Sequence, residues 1–99
     1  MPARKPGQPD TPPPAAAARH ELVVRLRRIE GQLRAVQRMI EDGNDCEPIA
    51  QQLAAARKAL DRTFFELMAC AIEHPEFSSA AEDTEARVQR LTRTLAKLG

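Results

Sequence analysis

Tryptophan and tyrosine are absent from this 99-residue chain, and phenylalanine occurs only three times. With few aromatic and β-branched strand formers, a β-sandwich or a nucleotide-binding α/β fold is excluded. Two cysteines are too few for a disulfide-stapled scaffold. No uncharged run approaches the roughly 20 apolar residues of a membrane span. No secretory leader is visible, so a cytoplasmic location without a membrane partner is expected. Also missing are a phosphate-cradling glycine loop, a zincin motif and a Ser/His/Asp set. The chain is therefore not expected to be an enzyme or to act on a small-molecule substrate.

What is present is a helix-forming palette of alanine, leucine, arginine and glutamate. Six of the eight prolines fall within the first fourteen residues, and residues 1–15 are expected to be a disordered, proline-rich tail. Residues 16–99 are then one domain. The formal charge is only +1, but residues 1–43 carry eight Lys/Arg against five Asp/Glu, so the basic excess is N-terminal.

Leu22, Leu26, Ile29, Leu33, Val36 and Ile40 recur at alternating spacings of four and three, predicting a helix over 16–41. Gly43 suits the left-handed position after it. Gly31, in mid-helix, suggests a close approach to another helix. A second stripe, Ile49, Leu53, Ala56, Leu60, Thr63 and Leu67, predicts a helix over 46–74, widened by Phe64, Met68, Ala71 and Ile72. Pro75 ends it. A third helix is predicted over 79–97, with Ser79 as N-cap and Thr84, Val88, Leu91, Leu95 and Leu98 on one face. The second helix would be about 40 Å long, whereas a compact domain of this size has a radius of gyration of about 13 Å. Its apolar faces therefore need another subunit. The fold expected is all-α: a three-helix protomer forming an antiparallel four-helix-bundle dimer, paired further into a dimer-of-dimers tetramer.

Extended in both directions, the second stripe also takes in Cys46, Cys70 and His74. Cys70 and His74 are neighbours at i and i+4, whereas Cys46 lies about 36 Å away along the helix. The three residues can meet only between two antiparallel copies centred near residue 59. Buried core cysteines and a helix-end histidine are the plainer reading. The functional reading is a metal ion shared by these side chains. Arg25, Arg27, Arg28, Arg34 and Arg38 lie on the polar face of the first helix, with Arg57, Lys58 and Arg62 on the second. Such rows are usually solvated faces; in a dimer they can merge into a surface for DNA phosphates. No helix-turn-helix pattern is present.

The segment Arg25-Leu-Arg-Arg-Ile-Glu-Gly31-Gln32-Leu33, then Met39, Cys46 and Gln51-Gln52-Leu53-Ala54-Ala55-Ala56-Arg57, resembles the CsoR/RcnR/FrmR repressors over about residues 19–98. That resemblance implies a ligand-responsive repressor that leaves operator DNA when a metal ion or thiol-reactive inducer engages an inter-subunit cysteine site. Cys46 matches the family's cysteine at the start of the second helix, and Arg25 and Arg62 match basic positions associated with DNA. The family's ligand histidine would fall on Ala71 and the next ligand on Pro75; this chain instead has Cys70 and His74, each one residue earlier. DNA-binding candidates are Arg25, Arg27, Arg28, Arg57 and Arg62, and the expected partners are operator DNA and further copies of the chain. Sensor candidates are Cys46, Cys70 and His74, with Cu(I) or Zn(II) suiting thiolate and imidazole donors and Ni(II) the poorer match. Persulfidation, oxidation or aldehyde modification of Cys46 is the rival chemistry. The alternative function is a helical oligomerisation or adaptor protein that does not bind DNA.

Overall fold

The computed structural model describes residues 14–77 and 82–99. Three α-helices run in order, α1 (Pro14–Glu41), α2 (Cys46–Glu73) and α3 (Thr84–Leu98), with a 3-10 turn at Pro75–Phe77. No strand occurs among the described residues. The all-α expectation holds.

α1 opens two residues before the sequence pattern suggested. Proline suits a first helical position, and Pro14 is followed by the helix-favouring run Ala15–Ala18, of which Ala15 is buried. The expected tail otherwise lies outside the described residues. At the other end Gly43 adopts φ 73°, a left-handed conformation that glycine reaches without Cβ strain. The amides of Gly43 and Asn44 close the helix onto the carbonyls of Ile40 and Met39. This tight turn reverses the chain, so α2 runs antiparallel to α1.

Only alternate members of the α1 stripe enter the seam between these helices. Leu22, Ile29 and Val36, seven residues apart, are buried. They meet Ala56, Thr63 and Met68 of α2, which are also buried. Ala56 is 1% exposed, its small side chain letting the backbones approach. The Thr63 hydroxyl donates to the Ala59 carbonyl at 2.8 Å, which satisfies its polar group inside the seam. The other half of each stripe stays in solvent: Leu26 and Ile40 on α1, and Leu53, Leu60 and Leu67 on α2, are each at least 40% exposed.

Gly31 does not mark a close approach within the protomer, contrary to the sequence expectation. A Cβ placed there meets nothing within 4 Å. The residue lies on the outer side of α1, away from the buried positions.

α3 starts at Thr84 rather than near residue 79. Asp83 is its N-cap, accepting a hydrogen bond from the Ala86 amide at 2.7 Å, and an aspartate carboxylate is a strong cap. Ser79, the cap expected from sequence, lies outside the described residues. Arg87 is 5% exposed, and its Nη2 donates to the Ile72 carbonyl in the last turn of α2 at 3.1 Å. A cation at a helix C-terminus is favoured there. Arg87 and Leu91 are the buried anchors of α3.

Candidate functional site

The α1–α2 hairpin has two flanks of opposite chemistry. On one side of the seam, a groove of about 300 Å³ is lined by Arg25, Arg28 and Gln32 of α1 and by Lys58 and Arg62 of α2, floored by Ile29, Ala59 and Thr63. The antiparallel packing brings these side chains together: Arg25, Arg28 and Gln32 fall on one face of α1, and Lys58 and Arg62, at i and i+4, on one face of α2. His20, Glu21 and Val24 extend the cleft beside Arg25 and Arg28. On the other side lie apolar hollows, one lined by Leu33, Leu53 and Leu60, the next by Leu22, Leu26, Leu60, Phe64 and Leu67.

Of the arginines singled out by sequence, three therefore share one groove: Arg25, Arg28 and Arg62. Arg27 is exposed and does not line this groove. Arg57 borders the apolar hollow with Leu53 and Leu60. The groove also holds two residues beyond the five DNA-binding candidates, Lys58 and Gln32. Lys58 stood in the basic run on α2 and differs from Arg57 only by one step around the helix. Gln32 could be placed there only once the two helices were docked.

Glu66 ties the two helices electrostatically. Its Oε2 lies 2.9 Å from Arg25 Nε of α1, and its Oε1 lies 3.3 Å from Arg62 Nε, one turn before it on α2. The i, i+4 spacing of Arg62 and Glu66 was a signal available in the sequence; the pairing across to Arg25 was not.

The sulfur and imidazole groups fall on two neighbouring heptad rows of α2. Cys46, Leu53, Leu60, Leu67 and His74 are spaced seven apart and form the outer row. Its middle three members are 43–49% exposed, and Cys46 is exposed at the start of the helix. An unsupercoiled helix drifts about 20° per heptad, so the row slants toward the seam at the His74 end. Cys70 belongs instead to the row Ile49–Ala56–Thr63, which faces α1. It is half-buried in a pocket with Ala18, Glu21, Leu22, Arg25, Glu66 and Ala69. Burial first, then the carboxylates of Glu73, Glu66 and Glu21, raise its thiol above the ordinary cysteine value and favour the neutral form.

His74 is the C-cap of α2, with extended backbone, and its amide donates to the Cys70 carbonyl at 2.8 Å. Its ring lies 6.3 Å from that of Phe77. Arg19 of α1 stands over the other end of this small cluster, 4.3 Å from the Phe77 ring centroid and donating to the Glu76 carbonyl at 2.8 Å. Among the described residues of one protomer, no group of three or more His, Cys, Asp or Glu side chains is placed to hold a metal ion. Cys46, Cys70 and His74 are thus not assembled within a single chain, as their separation along α2 required.

The α1–α2 hairpin thus carries a basic groove on one flank and exposed leucines on the other. Residues 18–97 match the metal-sensitive transcriptional repressor family, and the chain belongs to that family. This is a family of repressors and not of enzymes. The chain is 44% identical over 41 residues to an uncharacterized protein in the bioA 5′ region of Serratia marcescens, a match covering 41% of this chain and 45% of that one. It is 36% identical over 61 residues to the uncharacterized protein YrkD of Bacillus subtilis, covering 60% of this chain and 97% of that one. The match thus spans under half the length of the Serratia relative. No helix among the described residues is long and apolar enough to cross a membrane.

Proposed function

We propose that the chain is a ligand-responsive repressor that grips DNA through the basic groove between α1 and α2 and is released by chemistry at Cys46. The observation that carries this reading is the separation of the hairpin into a basic flank and an apolar flank. Phosphates need clustered guanidinium and ammonium donors, which Arg25, Arg28, Lys58 and Arg62 supply. Exposed leucines need a cover, which a second copy supplies. Arg27 and Arg57 would add charge only at the periphery of such a surface. A helical adaptor that ignores DNA would have no use for the groove.

The outer row suggests how two copies pair. An antiparallel arrangement with its two-fold axis at Leu60 sets Leu53 against Leu67 and Cys46 against His74 of the other copy. Two equivalent sites then form per dimer. Such a pairing leaves the basic groove free on the opposite flank, and two dimers would make the tetramer.

The donor set fits a soft or borderline ion only across this interface, since one protomer does not gather it. Cys46 and His74 would hold Cu(I) or Zn(II), for which thiolate and imidazole are suitable; Ni(II) suits the pair less well. The ion would supply a cross-link between subunits. Cys70, a thiol kept toward its neutral form, is a weaker donor and shares its pocket with Arg25 and Glu66. Modification of Cys46 by a persulfide, oxidant or aldehyde is the competing trigger and uses the same exposed thiol. Either trigger must bind or modify the two states of the dimer unequally to shift DNA affinity.

The test is a footprint on the DNA upstream of the chain's own coding region, with Cu(I), Zn(II) and an organic persulfide added separately. Protection that any of these removes, and that Cys46→Ala renders insensitive, supports the reading. Protection lost equally in wild type and Cys46→Ala rejects Cys46 as the sensor. No protection or retardation of any duplex leaves the adaptor reading in its place.

A further inference from the structure

We infer that Glu66 is a positioning residue for DNA binding: its carboxylate holds Arg25 of α1 and Arg62 of α2 by their Nε groups and so sets two guanidinium forks at one edge of the basic groove. The inference rests on the groove being the DNA surface. An acidic side chain beside such a surface is unfavourable for phosphate by charge alone, so its presence needs another reason.

The geometry supplies one. Each carboxylate oxygen serves one arginine, Oε2 with Arg25 at 2.9 Å and Oε1 with Arg62 at 3.3 Å. A guanidinium has five N–H donors, four of them on its Nη atoms, and the contact each arginine makes with Glu66 is through Nε. The Nη edge of each fork therefore remains for a phosphate, which it matches bidentately. Arg62 is 74% exposed on its side chain and Arg25 36%; a long, exposed arginine loses much rotamer freedom when it docks. Pre-ordering by Glu66 reduces that loss. It also fixes the spacing between one arginine on each helix, which neither helix can set alone.

Two arguments give opposite signs, which makes the idea testable. Counting charge, Glu66→Ala removes one negative group and should tighten binding. Positioning requires that it weaken binding. The probe is a fluorescently labelled 30-base-pair duplex of mixed sequence, titrated by anisotropy with the full chain at fixed salt. Glu66→Ala should bind roughly three- to tenfold more weakly, the scale set by ordering two long side chains on binding. Glu66→Gln keeps one carbonyl acceptor and should fall between the two; it also serves if the alanine variant loses its helix content or assembly.

In a chain already carrying Arg25→Ala and Arg62→Ala, titrated at low salt so that binding is measurable, Glu66→Ala should no longer weaken binding. The inference is overturned if Glu66→Ala and Glu66→Gln bind as tightly as wild type or more tightly. It is also overturned if the weakening persists without the two arginines, since Glu66 would then act through general structure. Loss of affinity in the Arg25/Arg62 double variant with no effect at Glu66 defeats only this inference. Absence of salt-dependent binding by the wild type defeats the DNA reading beneath it.

Discussion

Cys46 and Cys70 differ in surroundings more than their shared helix suggests. Cys46 is exposed at the first residue of α2, whereas Cys70 is half-buried beside three carboxylates that, with burial, raise its thiol above the ordinary value of 9.0. The thiolate is the reactive form, so a raised value delays its appearance to higher pH. Iodoacetamide labelling followed by mass spectrometry at pH 8 should modify Cys46 well before Cys70, and Cys70 should catch up only above pH 9. Equal rates at pH 8 would contradict this environment. Gly31 offers a second single-residue test. With open space around a Cβ there, Gly31→Ala should raise stability by about 0.5–1 kcal/mol, because alanine gives up less backbone freedom than glycine on entering a helix. A lower melting temperature would instead place another subunit against that turn.

At the scale of elements, α3 is held by a small set of anchors, and its cap is prominent among them. Asp83→Ala should destabilise α3 by about 0.5–2 kcal/mol, seen as faster hydrogen exchange in residues 84–98 while α1 and α2 amides keep their protection. Uniform loosening of all three helices would show that α3 is not a separate unit. The α1–α2 seam makes the opposite demand: Ala56, 1% exposed, has no room, so Ala56→Leu should cost about 1–3 kcal/mol by overpacking. The helices themselves could be read from sequence because a 4/3 stripe has one periodicity whatever covers it. Gly43 and Pro75 marked ends through backbone constraints that act locally. Which half of each stripe turns inward could not be read, since Leu22 and Leu26 look alike until α2 is docked. The same limit hid the pairing of Arg25 with Glu66, which belong to different helices, and the burial of Arg87, whose carbonyl partner at Ile72 has no side-chain signal. The start of α3 was missed because Asp83 and Ser79 are both acceptable caps by type. Cys46, Cys70 and His74 were visible as a register, but their division between an outer row and the seam depends on where α1 lies.

For the whole molecule, the exposed leucine row and the basic groove make linked demands. Leu60, 43% exposed at the centre of the row, should tolerate a charge in an isolated protomer but not across a two-fold axis. Leu60→Glu is expected to sediment as a monomer at micromolar concentration and to bind DNA more weakly, because each assembly then presents one groove instead of several. An unchanged sedimentation coefficient would remove the outer row from the interface. The central claim, that the groove between α1 and α2 binds phosphates, is tested most directly by the salt dependence of DNA affinity. Binding of the wild type and of the Arg25→Ala/Arg62→Ala double variant to one duplex is measured across a series of salt concentrations. The wild type should give a steep linear fall of log K with log salt, and the variant a weaker affinity and a slope shallower by about 0.9 for each phosphate it no longer neutralises. Matching affinities and slopes for the two proteins would contradict the account.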